Sequence, residues 1–505
     1  MWFVPRPPDA RTRPRDLLDV TLDAHQRAAA TRPPGGAMLV LGEAGYGKTT
    51  VALARLAHLY AAAKKRFRAI ALVPNEGLAQ LLQRTIVRLG ADVAVQTYGR
   101  FARRVARRTF GDLPRRESVA ASVGVAKIKR DPALFSLLDE RARLPPGVID
   151  DDLDAPPPTT KAHAHRGDLQ HLFGDRVLME RLVAASSQGI GAHAVAEILE
   201  HTRIQFLERT ERAFAHVDAE RLVASDGRSL DAGTATEDAD SVDVEDYAVL
   251  FELDRRRALA QVSPTKLRTY DCIVLDEAQE LAPIELALIG RCLAPGGTLV
   301  VAGDADQQVD PSACFRGWES TMRDLGAEEH ETVTLEVGYR CAPATMALAR
   351  AVRDATTIDR DTTDLPLVHA FDDEPSLLAW IRDELVALEE HDPTATTCVV
   401  TRRAPLARRI AAALAGATPR RLVLDGLFVA HRGADVTTVD QLKGLEFDFV
   451  IVADATEGEY PDAPASRRAL YVALTRARHQ AIVAHVARPS PFLPESTPGN
   501  RGDDA

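Results

Sequence analysis

Residues 42–49 read Gly-Glu-Ala-Gly-Tyr-Gly-Lys-Thr. Glycines at Gly42, Gly45 and Gly47 let successive backbone N–H groups turn inward around phosphate oxygens. A helical stretch begins at once, and its N-terminus adds partial positive charge. Lys48 in this pattern reaches β- and γ-phosphates, and the Thr49 hydroxyl, with Thr50 beside it, faces the metal ion that accompanies them. A second cluster, Ile-Val-Leu-Asp-Glu-Ala-Gln at 273–279, closes an apolar run with two acids. Asp276 can hold Mg²⁺, and Glu277 can polarise an attacking water as general base. A DE pair after a strand is common by itself; with a phosphate loop upstream, the chemistry indicated is hydrolysis of ATP.

These groups need a scaffold that brings them to one edge. Six short apolar runs can supply it: AMLVLG (37–42), RAIALVP (68–74), CIVLDE (272–277), TLVVAGD (298–304), TCVVTR (397–402) and FVIVADA (449–455). Rich in Val and Ile and ending in polar or glycine turns, they read as buried strands of parallel sheets. Helical stretches such as TTVALARLAHLYAAA (49–63) lie between them, which makes the fold class α/β. Residues 22–100 and 270–334 form a first motor domain and 335–486 a second. Between them, 101–269 is rich in Ala, Leu and Arg and reads as a mostly helical accessory insert. It carries a Pro- and Asp-rich loop at 145–158 and an acidic polar stretch near 226–246. Residues 1–21 read as a flexible lead-in and 487–505 as a mobile tail.

Composition narrows the partners. The net charge of −11 argues weakly against a nucleic-acid binder, but charge is unevenly spread. Residues 64–116 hold thirteen Lys or Arg against three acids; 226–254 hold ten acids against one Arg. A basic face can coexist with an acidic total, although such runs are as often solvated helix faces. No apolar run reaches the roughly 18–20 residues that span a bilayer, and the first residues lack a signal-peptide core. Cys272, Cys292, Cys314, Cys341 and Cys398 show neither metal-ligand nor disulfide spacing. A cytoplasmic protein without a membrane partner is expected.

Further segments resemble the UvrD/Rep-type superfamily 1 helicase motors. Leu22-Asp-Ala-His-Gln26-Arg is similar to that family's glutamine motif, and the resemblance makes Gln26 the adenine contact. Gln96 to Phe101 (QTYGRF) resembles a strand end touching single-stranded nucleic acid, which points to Thr97 and Tyr98. Gly303-Asp-Ala-Asp-Gln307 resembles GDxxQ, whose glutamine senses the γ-phosphate. Gly338-Tyr-Arg340 resembles NYR, whose arginine reaches the γ-phosphate from the second motor domain. Lys443 to Phe447 (KGLEF) implies that Glu446 lies near the nucleotide sugar, and Tyr471 to Arg478 (YVALTRAR) implies that Arg476 is a second arginine finger. The resemblance spans Leu22 to Arg478 and implies two RecA-like P-loop NTPase domains, with ATP and Mg²⁺ as cofactors. Arginine suits the finger role because it is always charged and forks onto phosphate oxygens.

Three departures stand beside the resemblance. After Gln307 the family's aromatic position is Asp310, and about three residues are inserted. Phe315 or Trp318 is left as the candidate stacking ring, with Arg316 between them, a core role for either ring being equally open. A usual histidine before KGLEF is Asp440, a poor neighbour for phosphate. Finally, the interval from Arg340 to Lys443 is too short for a large second accessory domain. The function expected is an ATP-dependent DNA helicase or translocase, moving 3′ to 5′ on single-stranded or partly duplex DNA, for example in repair. The alternative is an ATPase that remodels a protein–nucleic-acid complex, similar to HelD-type factors of RNA polymerase, with the insert as its protein-binding arm.

Overall fold

The computed structural model describes residues 22–63, 67–118, 121–144, 164–209, 234–260, 267–337, 341–356, 368–428 and 433–493. The lead-in, the stretch 145–158, Arg340 and the tail beyond 493 lie outside the described residues.

All six apolar runs are strands. In the first sheet they are β1 (Gly36–Leu41), β2 (Ala69–Val73), β6 (Tyr270–Leu275) and β7 (Leu293–Gly303), joined by β3 (Ala94–Thr97) and β8 (His330–Thr334). The order β3-β2-β6-β7-β1-β8 is parallel at every pairing. Strands β4 (Arg116–Glu117) and β5 (Ser241–Val242) make a small separate pair. In the second sheet, β10 (Thr397–Thr401) and β13 (Phe447–Val452) sit centrally, with β9 (Val368–Phe371), β11 (Arg420–Val423), β12 (Ala434–Thr438) and β14 (Ala477–Val486) around them. Here too the strands run parallel, in the order β11-β12-β10-β13-β14-β9.

Each sheet is covered on both faces, which explains why the central strands are apolar without alternation. One face of the first sheet, through Leu39, Ile70, Ile273 and Val301, shares a core with the helices Tyr98–Thr109, Val123–Arg130, Ala164–Gly174 and Val244–Ala260. The helical region thus seals a motor sheet, and the boundary expected at residue 101 falls inside the helix Tyr98–Thr109. The opposite face, through Val40, Val274 and Val300, belongs to a core that continues into the second domain at Val400, Val450 and the helix Pro464–Thr475. A third core lies on the far face of the second sheet, around Val399, Phe449 and Ile482.

Part of the acidic stretch is folded inward. Asp243 and Asp246 are buried on Lys129, at 2.6 and 2.7 Å. A lysine 1% exposed demands such partners, because an unpaired buried ammonium is strongly disfavoured.

Candidate active site

The parallel order sets the site. Strands β6, β7 and β1 are neighbours, so their C-terminal ends deliver residues 276–277, 304–307 and the 42–49 loop to one edge of the sheet. Crevices at such edges are where α/β folds bind ligands.

The loop turns through Gly45 and Gly47, at φ 77° and 87°, and Gly47 precedes the helix Lys48–Ala62. A Cβ at Gly47 would stand 2.8 Å from the Gln26 side-chain nitrogen. Gln26, 4% exposed, donates to the Tyr46 carbonyl at 3.0 Å and accepts from the Asp23 N–H, so it is fixed beside the phosphate loop. Gly47→Ala is predicted to cost about 1–2 kcal/mol in left-handed strain and to push Gln26 aside. Nucleotide affinity should fall about tenfold in a fluorescent-nucleotide titration; unchanged affinity would show that Gly47 is not needed.

Lys48 Nζ donates to the Gly42 and Glu43 carbonyls at 2.7 and 3.0 Å and lies 3.6 Å from the Asp304 carboxylate. Thr49 Oγ1 donates to Asp276 Oδ2 at 2.7 Å, so a hydroxyl and a carboxylate stand side by side. Thr50 is buried in the same turn. Burial and the charge of Glu277 hold the Asp276 carboxyl well above the usual carboxylate range. This donor set fits Mg²⁺, which takes hard oxygens from one or two side chains and the rest from phosphates and water. Among the described residues no group of three or more His, Cys, Asp or Glu is poised to hold a metal.

Glu277 adopts φ 55°, ψ 45°, a left-handed conformation rare outside glycine. Such strain is found at functional sites. Its carboxylate accepts from Gln279 Nε2 at 2.6 Å, and Gln279 Oε1 accepts from the Asp304 N–H at 3.2 Å. The Asp304 carboxylate accepts from Gln307 Nε2 at 2.6 Å, and Gln307 Oε1 accepts from Arg476 Nη2. Arg476, on the second domain and 4% exposed, also donates to the Val472 and Leu445 carbonyls. An unbroken relay therefore runs from Glu277 in one domain to Arg476 in the other.

Other links cross the same interface. Lys443 donates to Glu280 at 2.5 Å, and Arg350 and Arg353 pair with Glu43 of the phosphate loop, each at 2.7 Å. Burial opposes ionisation of Glu43, but the two arginines hold its carboxyl at about 2. Glu446, of the same segment as Lys443, pairs instead with Arg478 at 3.2 Å. A cleft of about 350 Å³ opens beside Asp306, Arg353, Arg468 and Tyr471.

The expected strand contacts are arranged differently. Thr97 caps the helix Tyr98–Thr109 and donates to Glu76 at 2.8 Å. Tyr98 is 7% exposed, its ring in the core beside Phe101. Trp318 wedges against Gly303, where a Cβ would meet its ring at 2.3 Å, and Phe315 packs edge-on to it at 4.9 Å. Arg316 pairs with Asp324 at 2.9 Å. Tyr98 is thus a core residue, whereas Trp318 and Phe315 are half-buried, Trp318 packing against the edge of that core. Asp310 meets Arg130 at 2.8 Å; burial opposes its ionisation, yet Arg130 and Lys443 hold its carboxyl well below the usual range. Arg130 also takes Glu285, Ser312 and the Glu280 carbonyl. Sequence reasoning passed over Arg130, Gln279, Asp304, Glu280, Arg350 and Arg353 as functional positions. Gln279 and Asp304 lay inside motifs already noticed, whereas the arginines carried no local signal.

Two parallel-sheet domains with a phosphate loop, an acidic pair and a relay across their interface define a P-loop NTPase motor of two RecA-like domains. Residues 25–312 match the AAA domain family model, and residues 433–484 match the UvrD-like helicase C-terminal domain. The chain belongs to the UvrD-like superfamily 1 helicases and is an ATP-hydrolysing enzyme. Among solved structures it is similar to the C-terminal domain of a possible DNA helicase from Lactobacillus plantarum WCFS1. The identity is 23%, the coverage 31% of this chain and 92% of that one, and the TM-score 0.26. No curated protein matches the chain significantly. No helix among the described residues is long and apolar enough to cross a membrane.

Proposed function

We propose that the chain is an ATP-driven DNA translocase, moving 3′ to 5′ along single strands and able to separate partly duplex DNA. The observation that carries this reading is the relay from Glu277 through Gln279, Asp304 and Gln307 to Arg476. In this reading Glu277 takes a proton from the attacking water, while Gln307 and Arg476 meet the γ-phosphate, joined by Arg340. Lys48 leaves its loop carbonyls for the β- and γ-phosphates, and Gln26 reads the adenine edge. Mg²⁺, held by Thr49 and Asp276, would neutralise charge on the phosphates. Because the relay spans two domains, gain and loss of the γ-phosphate bias their closure, and alternating closure moves a bound strand.

The test is steady-state ATPase with and without single-stranded DNA, at low and moderate salt. We predict a stimulation that fades as salt rises, since phosphate contacts release counterions. A second reading, remodelling of a protein–nucleic-acid complex, is favoured by one observation: Tyr98, at the expected strand contact, is packed in the core and offers no ring for base stacking. Intact basal turnover without stimulation would replace the first reading by the second.

A further inference from the structure

The helix Tyr98–Thr109 buries Tyr98, Phe101, Ala102, Val105 and Ala106 against the first sheet. Its opposite side carries Arg100, Arg103, Arg104, Arg107 and Arg108, and the chain beyond adds Arg115 and Arg116. Arg100 and Arg103 pair with Glu76 and Glu117, at 3.1 and 2.6 Å. Arg104 and Arg107 donate only to neutral groups, the Tyr270 hydroxyl and the Arg115 carbonyl. The guanidiniums of Arg108, Arg115 and Arg116 have no hydrogen-bond or ion-pair partner among the described residues. The nearby Asp112 carboxylate is turned onto His165 at 2.6 Å. Arg107 and Arg115 flank a cleft of about 370 Å³ floored by Phe110, Leu113, Pro114 and Tyr247.

We propose that this arginine face binds the sugar–phosphate backbone of a nucleic-acid duplex, an inference that rests on the DNA-motor reading. The charge fits a polyanion, and arginine forks suit phosphate oxygens. From Arg100 to Arg108 the stripe is about 12 Å long, the span of three to four phosphates on one duplex strand. Phe110 and Tyr247 are each 3% exposed, so the face offers no ring on which an unpaired base could stack. The helix starts at the C-terminal end of β3 and runs back across the sheet, so that Arg104 meets Tyr270, the first residue of β6, toward the edge opposite the phosphate loop. A duplex held there lies against the motor without being read for sequence.

The test uses the full chain carrying Arg108→Gln and Arg115→Gln. Both side chains are exposed and make no contact that folding needs. Affinity for a short DNA duplex is followed by fluorescence anisotropy from 50 to 200 mM salt, alongside single-strand affinity and single-strand-stimulated ATPase. The expected result is a salt slope shallower by about two and duplex binding about tenfold weaker at low salt, with single-strand affinity and stimulated turnover retained. Arg108→Lys with Arg115→Lys should keep the duplex affinity. Gly111→Glu, at a position where a Cβ meets open space, should weaken duplex binding by placing a carboxylate in the cleft. Unchanged duplex affinity and slope in the glutamine variant overturn the inference. Equal loss for single strands overturns the assignment to duplex. Wild-type turnover that ignores single-stranded DNA sinks the motor reading instead, and the duplex titration reads separately from it.

Discussion

Arg476→Ala is expected to lower kcat by about a thousandfold or more, the range seen when an arginine finger is lost, with little change in nucleotide affinity. The guanidinium is almost fully buried, is held by carbonyls of its own domain and meets Gln307 across the interface. In the proposed reading its charge lies where negative charge grows on the transferred phosphate, so its worth appears in the transition state more than in binding. Arg476→Lys should recover only a small part of the rate, since an ammonium keeps the charge but not the fork. Single-turnover hydrolysis and a nucleotide titration separate the two effects. A loss confined to affinity would remove Arg476 from the chemistry. A melting curve guards against the trivial outcome, because truncation also leaves Gln307 Oε1 without its donor.

Glu277→Gln should slow hydrolysis by about 10²–10⁴-fold, the usual contribution of a positioned general base, while ATP still binds. The glutamine is isosteric and can accept the Gln279 bond through its carbonyl oxygen. It cannot take a proton from water. The same change should stabilise the nucleotide-free protein. Asp276 holds its proton more tightly folded than unfolded, because it is buried and faces the Glu277 charge. Where the folded state binds more protons, stability falls as pH rises. That loss begins above the ordinary carboxylate pKa of about 4. Removing the Glu277 charge relieves part of it, so the variant should melt higher than wild type near neutral pH and show a flatter pH dependence. Normal turnover in Glu277→Gln would assign the base elsewhere.

Much of this was legible along the chain. Apolar runs ending in Gly42, Asp276 and Asp304 marked the strands, and the phosphate-loop and acidic motifs follow each strand within a few residues. Local spacing suffices there, because a parallel sheet fixes where each strand end must lie. Edge strands were harder to read. The segments HETVT and RRLV are polar and partly exposed, and their strand identity comes from ladder hydrogen bonds to β1 and β12.

The sequence alone determined the class of chemistry: a phosphate loop, an acidic pair and arginines set at family spacing are statements about residue type and order. Tertiary structure decided what those residues touch. Only folding brings Arg476 to Gln307, 169 positions apart, or Arg130 to Asp310, 180 positions apart. It also decided that Tyr98 turns inward while the arginines after it stay out. An aromatic in a motif can serve a ligand or a core, and the choice falls to the space beside it. Here helices press on that face of the sheet, so the Tyr98 ring fills the core and the unpaired guanidiniums are left to water or to phosphate.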